Sequence, residues 1–314
     1  MPKMQLQTVT GLCDTGSILL ADAHAHVWIA PPAGLAPDVR FELADEARIV
    51  AEFRGFRAAG GSLLVDCQPG GAGRVADKLS QLSQMTGVTV AAVTGFHLRK
   101  YYAPDHWLWQ TSEQAASQYF SDELTEGMRD SSSRVRASLI KIGFDGSFDG
   151  QTGVLMRAAA HAARVAHVPI LFHSEAGRNV ETLIPFFEAN GVRPEQLYIC
   201  HVDKRPDLGL HRELAHAGVL LGYDTFGRPK YDPDRNVWPL MHAMLDAGLD
   251  GSIAIGLDFA SSVNWQQYGG GPGLLMLPEV IIPRLKAEGV PNETIARLTA
   301  RNIAEHLAIR QEAA

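Results

Sequence analysis

Cysteine is scarce in this chain: Cys13, Cys67 and Cys200 are the three present in 314 residues, and no two form a C-x-x-C pair. That scarcity excludes a disulfide framework and leads us to expect the reducing cytoplasm. Long apolar runs are missing too. No segment approaches the roughly 18 uninterrupted apolar residues of a membrane span, and the opening MPKMQLQTVTGLCDTG holds no signal-peptide core. The expectation is a protein neither exported nor anchored in a membrane. Basic blocks are absent as well: 28 Lys and Arg stand against 35 Asp and Glu, a net charge of -7. Such a chain offers nothing to track a phosphate backbone, so the expected partner is a small-molecule substrate and not nucleic acid. No Ser-, Pro- or Gly-rich linker is long enough to divide the chain, which predicts one domain over 1–314.

What is present is a hydrophobic content of 46%, ample for a large core, arranged in a regular alternation. Eight short β-rich runs recur: ILLADAHAH, GSLLVDC, VTVAAVTG, ASLIKIGF, VPILFHS, QLYICHV, GVLLGYD and SIAIGLDF. Between them lie amphipathic stretches, among them Asp45 to Ala59, Val75 to Met85, Gly153 to Ala166, Pro206 to Ala217 and Asn236 to Ala247, many closed by Gly or Pro. Repeated β-then-α units of this length predict an α/β fold, a (β/α)8 TIM barrel spanning 19–290. A doubly wound sheet is the runner-up, but its first strand should end in a glycine-rich turn, where this chain has His24 and His26. Residues 1–18 read as a β-hairpin capping the bottom of the barrel, and 291–314 as two short C-terminal helices.

The first run, LLADAHAHVWIA, sets Asp22, His24 and His26 two apart among apolar residues. On a strand, residues i, i+2 and i+4 share one face. Two buried imidazoles side by side are costly unless something binds them, a metal or a hydrogen-bonding partner. Polar, metal-competent residues also stand near the ends of later runs: Lys141 in SLIKIGF, His173 in PILFHSE, His201 in LYICHVD and Asp258 in IAIGLDF. In a barrel all six converge on the mouth where the strands end, and four neutral imidazoles with a carboxylate suit zinc, with manganese or cobalt as alternatives. Lys141 is the odd member, because a protonated ammonium has no lone pair for a metal. Either CO2 converts it to a carbamate, or it stays charged and pairs with a carboxylate such as Asp145.

Three connections are long: Val27 to Ala44, His97 to Thr111 and Ala260 to Gly273. The second carries Tyr101, Tyr102, Trp107 and Trp109, which reads as a substrate lid or as a surface against a neighbouring subunit.

The chain resembles the phosphotriesterase-like branch of the amidohydrolase superfamily. The resemblance runs in order through HAH, LLVDCQPGGAGR, TGFH, IKIG, HSE, CHVDKRPD, GYDTFG and GVPNETIARLTARNIAEHL. It implies two divalent metal ions: His24, His26 and Asp258 on the more buried one, His173 and His201 on the other, with an N6-carboxylated Lys141 and a hydroxide bridging them. Asp258 would also be the catalytic proton shuttle, and a homodimer is implied. Lactones, phosphorylated sugar lactones, organophosphate triesters and amides are all substrates within such a family. Family lactonases acting on acyl-homoserine lactones often carry Tyr where this chain has His97, and Arg where it has Thr225. GYDTFGRPKYDPD is closer to the branch acting on phosphorylated sugar lactones, although that branch places basic residues after the last strand where this chain reads FASSVNWQQYGGGPG. Candidate substrate contacts are therefore His97, Lys204, Arg205, Arg228, Lys230 and Tyr231, the basic ones as anion contacts or as plain solvated charges. The expectation is a lactone or related carboxylic ester hydrolase, with triester or N-acyl amide hydrolysis as the alternative. A barrel that only binds a ligand is the remaining reading, and metal content separates it from the enzyme.

Overall fold

The computed structural model describes residues 4–309. The expected hairpin and C-terminal segments extend at their outer ends to residues 1–3 and 310–314, which lie outside the described residues. Eight parallel strands form the barrel sheet in sequential order: β3 (Ala21–Ala25), β4 (Leu63–Asp66), β5 (Thr89–Phe96), β6 (Leu139–Phe144), β7 (Ile170–Ser174), β8 (Leu197–Cys200), β9 (Leu220–Tyr223) and β10 (Ile253–Ile255). Each coincides with one of the eight apolar runs. Most of their residues are fully buried because both sheet faces are covered, one by helices and the other by the filled barrel interior.

The helices follow the amphipathic stretches within a few residues: α1 (Glu46–Ala58), α2 (Ala76–Thr86), α4 (Gly150–Ala166), α6 (Leu208–His216) and α7 (Val237–Asp246). Two further helices, α3 (Glu113–Thr125) and α5 (Leu183–Ala189), occupy the remaining crossovers. Caps explain the starts: Asp45 accepts from Arg48 N at 3.1 Å, Ser112 from Ala115 N at 3.2 Å and Asp207 from Leu210 N at 3.2 Å.

Among the described residues no ladder joins β3 to β10. The seam is closed instead by the Asp22 carboxylate, whose Oδ1 accepts from His24 N and Leu257 N, both at 3.0 Å, and by Asp258 N donating to His24 O at 2.8 Å. Asp22 is thus a structural clip below the histidines, and burial pushes its carboxyl up to about 8.

At the opposite end β1 (Gln5–Thr8) and β2 (Gly11–Asp14) form the expected hairpin, which docks under β5 and β6 through Val9 N to Val90 O at 2.9 Å and Ser138 Oγ to Gln7 O at 2.7 Å. A third strand, β11 (Ala308–Ile309), extends it. The expected two short C-terminal helices are instead one continuous rod: α9 (Asn292–Ala296), a π-turn (Arg297–Arg301) and α10 (Asn302–His306). A similar π-turn (Leu277–Ile281) leads into α8 (Ile282–Ala287). Among the described residues no helix is long and apolar enough to cross a membrane.

The three long connections rise at the ends of β3, β5 and β10 and are braced rather than loose. The first is pinned at its base by reciprocal hydrogen bonds between Ile29 and Leu43, at 2.9 and 3.0 Å. The second wraps the Arg99 guanidinium, which donates to the carbonyls of Tyr102, Ala103 and Pro104 and lies over the Trp109 ring. The third is tied to α1 by buried Glu52, which accepts from Gln267 N at 3.0 Å and Leu274 N at 2.9 Å.

Candidate metal centre

His24 lies within β3 and His26 just beyond it, Lys141 within β6 and His173 within β7; His201 directly follows β8, and Asp258 stands three residues past β10. All six expected positions therefore meet at one end of the barrel. His24 Nε2 and His26 Nε2 lie 3.7 and 3.4 Å from Asp258 Oδ1, and His201 Nε2 is 2.9 Å from His173 Nδ1. His24, His26 and Asp258 form one group whose ligand atoms are close enough to share an ion. Burial holds His24, His97 and His201 well below the ordinary histidine range and His173 near 3, so these rings are neutral and keep a lone pair. Burial works against ionisation of Asp258 too, but the Arg228 guanidinium, 2.6 Å from its Oδ2, holds its carboxyl well below the usual range.

The donors are oriented from behind. Asp224 Oδ2 faces His24 Nδ1 at 2.9 Å, its Oδ1 faces His201 Nδ1 at 2.6 Å, and Gln68 Oε1 faces His26 Nδ1 at 2.9 Å. An acceptor at each Nδ1 places the proton there and leaves Nε2 free to bind. Asp224 is itself held by Asp203, whose Oδ2 accepts from Asp224 N at 3.0 Å and from Thr225 N and Oγ1 at 2.9 and 2.7 Å. Two of the six positions carry left-handed backbone, His201 with φ 62° and Asp258 with φ 52°. Such conformations cost on the order of 1 kcal/mol or more and persist where surrounding contacts impose them. Here those contacts are Asp224 on His201 N at 3.1 Å and His24 O on Asp258 N.

Lys141 decides whether a metal fits. Its Nζ is fully buried and has no hydrogen-bond partner among the described residues, as has His24 Nε2. The alternative pairing with Asp145 is not formed; Asp145 Oδ1 instead accepts from Ser147 N at 3.1 Å. An unpaired ammonium among four histidines is costly, whereas a carbamate between cations would be satisfied. The residues fit a metal pair.

Over the cluster opens a cavity of about 230 Å³ lined by His26, His97, His173 and Asp258, and by Lys204, Arg228, Lys230 and Tyr231. His97 packs between Tyr101 and His173, with ring centroids 4.1 and 4.5 Å away, so part of the expected lid does cover the site. The Lys204 and Lys230 ammoniums lie 5.2 and 4.8 Å from the Tyr231 ring centroid. Two expected contacts are placed differently. Arg205 does not line the cavity; it turns away to Glu181 at 3.2 Å and Asp207 at 3.8 Å. Arg228 does line it, but its Nη2 is engaged by Asp258 Oδ2 at 2.6 Å and by the Asp258 carbonyl. The sequence reading missed Lys100 and Glu175, which line the cavity and pair at 3.0 Å, as well as Gln68 and Asp224. Asp224 did leave a signal, as the polar break ending the apolar run GVLLGYD.

The pattern that defines the phosphotriesterase family matches residues 4–307. Among curated proteins, the chain is 26% identical to a phospho-furanose lactonase of Mycoplasmopsis synoviae (strain 53), over 94% of this chain and 89% of that one. It is 24% identical to a phosphotriesterase homology protein of Escherichia coli (strain K12), over 88% of this chain and 92% of that one. Among solved structures, a lactonase from Listeria monocytogenes superimposes with a TM-score of 0.91 at 21% identity, over 98% and 100% of the two chains. An amidohydrolase from Mycoplasma synoviae gives a TM-score of 0.91 at 25% identity, over 99% and 94%.

Proposed function

The chain belongs to the phosphotriesterase family, and from that premise we propose that it hydrolyses a small lactone or related carboxylic ester bearing an anionic group such as phosphate. The family is one of metal-dependent hydrolases, and the chain is a hydrolase with it. One observation carries the substrate reading: two ammoniums, Lys204 and Lys230, flank Tyr231 in the cavity above Asp258, with no carboxylate partner among the described residues. Lys204 is half-buried and Lys230 exposed, so a neutral triester would leave both to solvent, whereas a phosphate would pair with both. The named activity of the phospho-furanose lactonase relative agrees with this assignment.

In the mechanism we propose, His24, His26 and Asp258 would hold one divalent ion, His173 and His201 a second, and Lys141 both, after its amine adds CO2 and loses a proton to become a carbamate. Zinc suits this nitrogen and oxygen donor set. When bound, such ions supply Lewis acidity that activates water and polarises the ester carbonyl. The protein does the rest. Lys204 and Lys230 anchor the anionic group, and His97, backed by Tyr101, forms one wall beside the scissile bond. Water adds to the carbonyl carbon, its proton passes to Asp258 Oδ1, and the C–O bond to the ring oxygen breaks. Asp258 returns that proton to the departing alkoxide, giving a hydroxy acid. Arg228 keeps Asp258 oriented and ionised between turnovers.

The test is a substrate panel on metal-loaded protein: lactones, phosphorylated lactones, acyclic esters, N-acyl amides and triesters. Phosphorylated lactones should lead, and Asp258→Asn should abolish most turnover while retaining the fold. An ester-inactive protein that binds two ions per chain and cleaves triesters or amides would overturn the assignment.

A further inference from the structure

The cavity has a second wall that the chemistry just described leaves unused. Pro31, Leu35, Val39 and Phe41, all half-buried, line it together with buried Ile29. All five come from the connection between β3 and α1. Their placement follows from sequence: in DVRFEL the apolar Val39, Phe41 and Leu43 alternate with exposed Asp38, Arg40 and Glu42. The 3-10 turn Pro37–Val39 ends at Arg40, and from there the extended segment turns Phe41 and Leu43 inward with Arg40 and Glu42 outward, while Val39 closes the turn on the same apolar side. The wall is preformed. Its base is pinned by the Ile29–Leu43 pair and by Ala30 N to Gly73 O at 2.8 Å.

Strand order fixes how this wall sits relative to the cationic one. Lys204 follows β8, Lys230 and Tyr231 follow β9, and the apolar wall follows β3, with β10 and its Asp258 between β9 and β3. A substrate at Asp258 therefore reaches cations on one side and hydrocarbon on the other. A sugar phosphate would set hydroxyl groups against side chains that offer no hydrogen bond, a desolvation loss with no return. An alkyl group there gains instead. The cavity of about 230 Å³ is smaller than the roughly 300–1,000 Å³ typical of drug-sized ligand sites, so the arm is short.

Resting on the lactone or ester reading for the bond that is cleaved, we infer that the substrate is amphiphilic. It carries an anionic group for Lys204 and Lys230 at one end and a short unsubstituted alkyl arm for the Leu35–Val39–Phe41 wall at the other.

The experiment is calorimetric titration of the metal-loaded, full-length protein with methyl, ethyl, propyl and butyl phosphate, and with glycerol 3-phosphate as the hydroxylated counterpart of propyl phosphate. Affinity should rise about fourfold per added methylene, and propyl phosphate should bind more tightly than glycerol 3-phosphate. Phe41→Ser, and independently Leu35→Ser near the tip of the connection, should flatten that slope with melting temperature and metal content retained. A flat or falling series, or glycerol 3-phosphate binding as tightly as propyl phosphate, overturns the inference whether or not lactones are cleaved. A rising series in a protein that cleaves no lactone upholds it and overturns only the ester reading.

Discussion

Replacing Asp224 by Asn tests whether one carboxylate sets both histidine tautomers. Asp224 presents Oδ2 to His24 Nδ1 at 2.9 Å and Oδ1 to His201 Nδ1 at 2.6 Å. An amide of the same shape keeps one acceptor and turns an N–H toward the other ring, which must then hold its proton on Nε2 and lose the lone pair aimed at the cluster. Loss of such an orienting partner weakens metal affinity about 10- to 100-fold, equivalent to roughly 1.4 to 2.7 kcal/mol at the affected position. Folding should suffer less, because burial pushes the Asp224 carboxyl up to about 7, so the metal-free fold already tolerates a neutral side chain here near neutral pH. Metal content would be measured after dialysis against graded chelator, alongside the metal-induced gain in melting temperature, which should shrink by the same free energy. An Asp224→Asn protein with the wild-type chelator midpoint and an undiminished thermal gain would refute the tautomer argument.

Further outcomes follow from other contacts. Lys141→Met should bind less metal per chain, and wild-type apoprotein should reconstitute more slowly without bicarbonate; a metallated active protein lacking the mass of one added CO2 would overturn the carbamate. Arg74→Met strands Glu123, paired at 2.6 Å with both side chains fully buried, and should cost roughly 3 to 5 kcal/mol in urea unfolding. Gly273→Ala should destabilise the last long connection, because Gly273 has φ 70° and a Cβ would run into Glu52 Oε1; an unchanged melting temperature would show the tie to be slack. In metal-free protein, Asp22 and Asp203 are carboxyls raised by burial from the ordinary 3.8 to about 8, so the folded state binds more protons than the unfolded state between those values. Their contribution is fully present below about pH 4, declines as pH rises, and is lost as pH passes 8; a melting temperature that rises steadily across that window contradicts this.

The barrel was legible because each strand is a short apolar run closed by turn residues, a local signal that tertiary context did not override. The six candidate ligands were legible for the same reason: each is a polar residue set in such a run. Long-range pairings were not. Asp22 reads as a third member of the HAH face, and only the approach of Leu257 N makes it a seam clip. Arg228 reads as an anion contact until Asp258, thirty residues on, engages it. Lys100 stands inside an aromatic-rich segment that gives it no signal of its own, and nothing in the sequence shows that the two C-terminal helical stretches join through a π-turn into one rod.

The seam between β3 and β10 also ties the site to the order of synthesis. Leu257 N and the Asp22 carboxylate that receives it are 235 residues apart, and Asp258 acquires its left-handed backbone through His24 O at that same junction. These are among the most non-local contacts the chain makes, and their loop-closure entropy is met only after the intervening strands have assembled. A growing chain therefore exposes the HAH histidines early, yet cannot assemble the full donor set until its last barrel strand has been made and docked.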